Sequence, residues 1–95
     1  MNKILLVNRV NTSDNSKIKK RIFFLLGGMN LPPIENKLID TINNSGLIDD
    51  YDDILYKYNG VEVNMPIQSI PKLIKLLANE DISIYSVYEI YNPDL

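Results

Sequence analysis

A basic cluster within positions 17–21 is the first part of this sequence that could bind a partner. Its members are Lys17, Lys19, Lys20 and Arg21. On a helix, Lys17, Lys20 and Arg21 would lie close together, because side chains three or four positions apart share a helix face. Such a face could contact an acidic protein or a nucleic-acid backbone, or it could be an ordinary solvated surface.

An acidic cluster lies in the middle of the chain. Its members are Asp49, Asp50, Asp52 and Asp53. Aspartate oxygens are ligands for Ca²⁺ and Mg²⁺, but the segment lacks the glycine and the terminal glutamate of an EF-hand loop. We therefore assign no metal here and interpret the cluster as a solvated loop or as an acidic surface for a basic partner.

The residue types that are missing restrict the chemistry further. The chain contains no histidine and no cysteine, which excludes Ser/His/Asp and Cys/His catalysis, zinc ribbons and thiol chemistry. Carboxylate, lysine and tyrosine chemistry stay open. Gly27 and Gly28 do not have the spacing of a dinucleotide-binding or phosphate-binding loop. We predict a protein that is not an enzyme and has no cofactor.

The first part of the chain is predicted to form a strand and then a helix. The apolar run within 3–10 is typical of a strand buried on both faces, which we expect at the centre of the sheet. Over 17–26, apolar residues recur at helical spacing, and Gly27 and Gly28 could end a helix there. The recurring residues are Ile18, Ile22, Leu25 and Leu26.

A second helix and a hairpin are predicted next. The helix begins at Pro32, because proline suits a first turn, and its apolar repeat stops at Gly46. The hairpin covers 54–65, with Asn59 and Gly60 at its turn, because this pair tolerates positive φ angles.

The last part of the chain is predicted to form a third helix and a final strand. Ser69 can cap the helix, and Pro71 suits its first turn. The final strand covers 82–91, and Asn92 and Pro93 terminate it. Its polar alternates and terminal proline indicate an edge strand, which could pair with a partner strand or a second copy of this chain.

The predicted order is strand, helix, helix, strand, strand, helix, strand. This order indicates one α+β domain over residues 1–95, built as a two-layer sandwich. No apolar stretch is long enough to span a bilayer and the start lacks the features of an export signal, so we expect a cytoplasmic protein with no membrane partner. The net charge of −2 argues against non-specific binding to nucleic acid.

This arrangement resembles the Clp protease adaptor and the C-terminal domain of the bacterial ribosomal stalk protein. The resemblance covers about residues 3–46 and 61–90. The residues that carry it are Ile4 to Asn8, Gly28, Met29, Leu38, Ile39, Ile42 and Gly46. It implies a ClpS-like fold and an adaptor function. The family's acidic residues and histidine after the asparagine are missing, since Arg9 and Val10 follow Asn8.

The second half, from Ile54 to Leu95, is similar to the accessory C-terminal domain of some ABC transporter ATPases. The Asn59–Gly60 turn and the segment 70–84 carry this similarity. It implies a ferredoxin-like fold and a non-catalytic regulatory role. The two resemblances differ over 17–44, where two packed helices would favour the ClpS-like fold and one helix the ferredoxin-like fold.

We interpret the chain as a non-enzymatic module that binds another protein. Three surfaces are candidates: the basic helix, the loop between the first two helices and an exposed sheet edge. The candidate partner-binding residues are Lys17, Lys20, Arg21, Met29, Asn30 and Leu31. A small immunity or inhibitor protein and a nucleic-acid-binding domain are the other functions that the composition allows.

Overall fold

The structure is a computed structural model that describes residues 7–8 and 12–90, and its core is one sheet with two helices against it. The strands are β1 (Val7–Asn8), β2 (Lys20–Leu26), β3 (Ile54–Lys57), β4 (Gly60–Met65) and β5 (Ile84–Ile90). The helices are α1 (Pro32–Asn43) and α2 (Ile70–Asn79), and short 3₁₀ turns cover Tyr51–Asp53 and Ile67–Ser69.

The strands form one antiparallel sheet in the order β1-β5-β2-β4-β3. From β2 to β5 the chain runs strand, helix, strand, strand, helix, strand, which is the ferredoxin-like element order. The predicted α+β class and two-layer sandwich are confirmed. The ferredoxin-like alternative describes the connectivity of the described sheet.

Both helices pack on the same face of the sheet. The central strands place alternate residues toward them, and the fully buried side chains include Ile22, Phe24, Val61, Val63, Leu38, Ile42, Leu73 and Leu77. Each such side chain stabilises the fold by about 1.5–3 kcal/mol through burial. Within the described residues, no helix is long and apolar enough to cross a membrane.

The prediction of a helix over 17–26 is wrong, because Lys20–Leu26 form the central strand β2. Ile22 and Phe24 face the helices, while Arg21, Phe23 and Leu25 face the other side. β2 bonds to β4 on one side and to β5 on the other, and this pairing overrides a helical pattern that was only local. One helix therefore separates β2 from β3.

The predicted positions of two strands in the sheet are also wrong. Of the segment 3–10, only Val7–Asn8 and their pairing are described, and they pair with β5 at one end of the sheet rather than at its centre. β5 has β2 as its other neighbour, so the final strand is not an edge. The edge at the opposite end of the described sheet is β3.

The second helix, the hairpin and the third helix are confirmed, with one correction at the turn. Lys57 pairs with Gly60, so the two-residue turn is Tyr58–Asn59, and it uses no positive φ angle. Gly60 is needed for another reason, because a Cβ there would lie 2.0 Å from the carbonyl oxygen of Phe24.

Candidate functional site: the edge of β3

Large apolar side chains that are exposed to solvent concentrate around β3. In residues 12–90 the exposed set is Ile18, Leu31, Tyr51, Leu55, Tyr58 and Tyr85. Tyr51, Leu55 and Tyr58 fall within eight positions, and their exposed fractions are 86%, 53% and 88%. Isolated exposed apolar residues are normal, but several exposed large side chains along one strand and its two ends, two of them tyrosines, are typical of a binding surface. We name residues 49–58 the β3 edge.

The backbone of β3 has hydrogen-bonding groups that face away from the sheet. Lys57 pairs with Gly60 across the two-residue turn, so the backbone N–H and C=O groups of Lys57 and Leu55 bond to β4. The backbone groups of Ile54 and Tyr56 point away from β4. The Ile54 N–H donates to the Tyr51 carbonyl. The N–H and C=O of Tyr56 face the side on which the described sheet has no further strand, and they are the groups that an added strand would bond.

Two hollows flank the beginning of β3, and both are lined by Tyr51 and Ile54. The first has a volume of about 330 Å³, and Asp49 and Asp50 line it with residues of α1. The second has a volume of about 280 Å³, and its lining includes the carboxylates of Asp52, Asp53 and Glu62, the guanidinium of Arg21, and Leu55. Because residues of α1 line the first hollow and residues of the uncovered sheet face line the second, the hollows lie on the two sides of β3.

The aspartates of the acidic cluster have different local roles. Asp50 precedes the 3₁₀ turn and caps it, because its Oδ1 accepts from the Asp52 N–H at 3.0 Å. Asp49 and Asp52 are exposed, and no ion pair is found for them among the described residues. Asp49 and Asp52 therefore supply negative charge to the two hollows without an evident structural task.

The basic cluster lies beside the acidic one rather than on a helix face of its own. Lys19 Nζ donates to Asp53 Oδ2 in an ion pair. Arg21 Nε lies 3.0 Å from Glu62 Oε2, and Lys57 Nζ lies 3.5 Å from Glu62 Oε1. Because residues 20 and 21 alternate along β2, they point to opposite faces, and the predicted face of Lys17, Lys20 and Arg21 does not exist.

The Lys19–Asp53 pair predicts a titration that can be measured. The hydrogen bond to Asp53 raises the pKa of Lys19 above its ordinary value of 10.5, and the charges of Asp53, Asp49 and Asp50 add to it. Because the pKa of Lys19 is higher in the folded than in the unfolded protein, its ion pair stabilises the fold at pH values below the pKa of the unfolded state. This contribution is lost as the pH rises through the pKa of the folded state. Asp53→Asn is expected to lower the pKa of Lys19, as followed by its ¹³Cε shift in NMR. An unchanged Lys19 titration in the variant would contradict the pairing.

The other predicted binding residues are dispersed. Met29 is buried in the core, so its side chain is not available to a partner, whereas Asn30 and Leu31 are exposed just before α1. Lys17 is exposed in the segment before β2. The sequence interpretation missed Tyr51, Leu55 and Tyr58 as a set. Leu55 and Tyr58 lie in the predicted first hairpin strand, and Tyr51 lies shortly before it.

The sheet face that the helices do not cover carries a row formed by Leu55, Glu62, Phe23 and Tyr88. The rings of Phe23 and Tyr88 lie 5.5 Å apart between centroids. Phe23 is only 5% exposed and Glu62 beside it is acidic. A face that stacks nucleic-acid bases needs accessible rings and positive charge, so this row does not favour nucleic-acid binding.

Tyr56 anchors the edge strand from the helix side. Its ring packs against the core, and its hydroxyl oxygen is buried without a hydrogen-bond partner in the described part of the chain. Burial raises the pKa of Tyr56 above its ordinary value. The phenol therefore stays protonated at neutral pH, where it is a poor base.

The acidic cluster does not assemble a metal site. Within residues 7–8 and 12–90, no group of three or more carboxylates converges in a way that could hold a metal ion. This region has instead an open strand edge with exposed tyrosines and with two exposed aspartates, Asp49 and Asp52, that form no ion pair among the described residues.

The fold and the site together define a small ferredoxin-like α+β domain whose distinguishing surface is an edge strand. No protein-family model matches the chain, and neither the curated proteins nor the solved structures give a significant match. The β3 edge itself is therefore the feature that indicates a function.

Proposed function

We propose that this domain is a non-enzymatic protein-binding module that takes up an extended segment of its partner along the β3 edge. The observation that carries the proposal is the coincidence of an outward-facing backbone at Tyr56 with the exposed side chains of Tyr51, Leu55 and Tyr58. In strand addition, main-chain hydrogen bonds supply affinity and neighbouring side chains supply specificity. Both components occur within ten residues of this chain.

The proposal makes a prediction about a single amide. In the free protein the Tyr56 N–H is expected to exchange rapidly with solvent, while the Leu55 and Lys57 N–H groups are already protected by β4. Dodecapeptides selected on the purified domain from a random display library serve as the probe. Their binding is expected to slow exchange at Tyr56, as measured by hydrogen exchange in NMR.

Matched variants separate this surface from general stickiness. Tyr51→Ala is expected to weaken peptide binding about tenfold, because truncation of an interface tyrosine commonly has an effect of this size. Tyr85→Ala removes another exposed tyrosine away from β3 and is expected to leave affinity unchanged. If selected peptides bind without slowing Tyr56 exchange, or if both variants weaken binding equally, strand addition at β3 is wrong.

A further inference from the structure

We infer that the segment which pairs with β3 is cationic, with a lysine or arginine where it passes the beginning of the strand. This inference rests on the proposed function and specifies the partner. Successive side chains of an added strand point to opposite sides of the sheet. Basic side chains on either side would therefore reach a hollow that contains an exposed carboxylate, Asp49 on one side and Asp52 on the other.

The charge balance around the edge supports a cationic occupant. Lys19 pairs with Asp53, and Arg21 and Lys57 both pair with Glu62. With Asp49, Asp50 and Asp52 included, five carboxylates lie around the edge against these three basic side chains. Asp49 and Asp52 form no ion pair among the described residues, although Lys19 lies near enough to Asp49 and Asp50 for their charges to interact. An approaching lysine or arginine would be attracted by this excess of carboxylates, which raises the association rate and selects against acidic partners.

A second copy of this chain fits the edge less well. Its β3 carries a single basic residue, Lys57, and that residue already lies 3.5 Å from Glu62 of its own chain. Each copy would also bring its own acidic cluster, and the chain has a net charge of −2. Self-pairing would therefore bring two acidic clusters together and leave Asp49 and Asp52 without an ion pair in both copies.

The experiment uses two fluorescein-labelled peptides of seven residues that alternate valine with lysine or valine with glutamate. The lysine peptide is expected to bind the domain at least about tenfold more tightly than the glutamate peptide in fluorescence anisotropy. A version of the lysine peptide that is N-methylated at every residue keeps its charge but cannot donate to β3. It is expected to lose at least about tenfold in affinity.

Charge variants of the domain locate the effect. Asp49→Asn/Asp52→Asn is expected to weaken binding of the lysine peptide at least about fivefold without disturbing the Asp50 cap. The control Glu80→Gln/Asp81→Asn removes the same charge from exposed positions after α2, and neither residue lines a hollow beside β3. It is expected to change affinity less than about twofold, because exposed charges that do not line the hollows are screened by salt.

The possible failures are distinct. If library peptides protect the Tyr56 amide but the lysine and glutamate peptides bind equally, the cationic inference fails and strand addition stands. If the control variant weakens binding as much as the Asp49/Asp52 variant, the attraction is non-specific and the inference fails. If Tyr56 is already protected in the free protein and loses that protection on dilution, a second copy occupies the edge and the inference is overturned.

Discussion

Replacing Ile22 with alanine is expected to lower the free energy of unfolding by about 2–5 kcal/mol. Ile22 is fully buried in β2, where it contributes to the core between the sheet and the helices. The cost combines the lost transfer of three methyl or methylene groups with the cavity that they leave. Urea denaturation followed by far-UV circular dichroism measures it, with the slope of the transition checked for constancy.

Ile18→Ala is the matched control for this experiment. Ile18 is 65% exposed in the segment before β2, so its replacement is expected to change stability by less than about 0.5 kcal/mol. A helix over 17–26 would place both isoleucines in one apolar stripe and make both replacements costly. Equal losses at the two positions would therefore contradict the assignment of β2 and restore the helix.

A comparison of α1 with β2 shows why part of the fold could be predicted and part could not. α1 was predictable because its signals are local: Pro32 and Pro33 suit a first turn, and Gly46 follows its end with a φ of +74°. β2 has no such signals. Its apolar residues are continuous from Ile22 to Leu26 and fit both the helical and the strand period, so pairing with β4 and β5 decides the structure.

The site was predictable in its charges but not in its geometry. The four aspartates within 49–53 are visible in the sequence, and an acidic surface was one of the expected alternatives. The exposure of Tyr58 does not follow from the sequence, because the predicted turn at Asn59–Gly60 would place Tyr58 in the strand before it. With the turn at Tyr58–Asn59, Tyr58 leaves the strand. Which strand forms the edge depends on sheet order, which local sequence does not encode.

The edge also depends on a glycine in the neighbouring strand. Gly60→Ala is expected to lower the free energy of unfolding by about 3 kcal/mol, at the upper end of overpacking effects. The new Cβ would lie 2.0 Å from the carbonyl oxygen of Phe24, and this oxygen belongs to the backbone of β2. A flexible side chain could move aside, but relief here requires β2 and β4 to separate, which disturbs their pairing between Leu25 and Gly60.

Gly46→Ala separates this close approach from the general effect of replacing a glycine. Gly46 has no atom within 4 Å of the position of a new Cβ, but its φ is +74°, so the replacement is expected to cost about 1 kcal/mol through backbone strain alone. Gly60 has no positive φ, so its cost comes from contact. If thermal and urea denaturation find Gly60→Ala no more destabilising than Gly46→Ala, the close packing of β2 on the hairpin is wrong, and with it the position of the turn that exposes Tyr58.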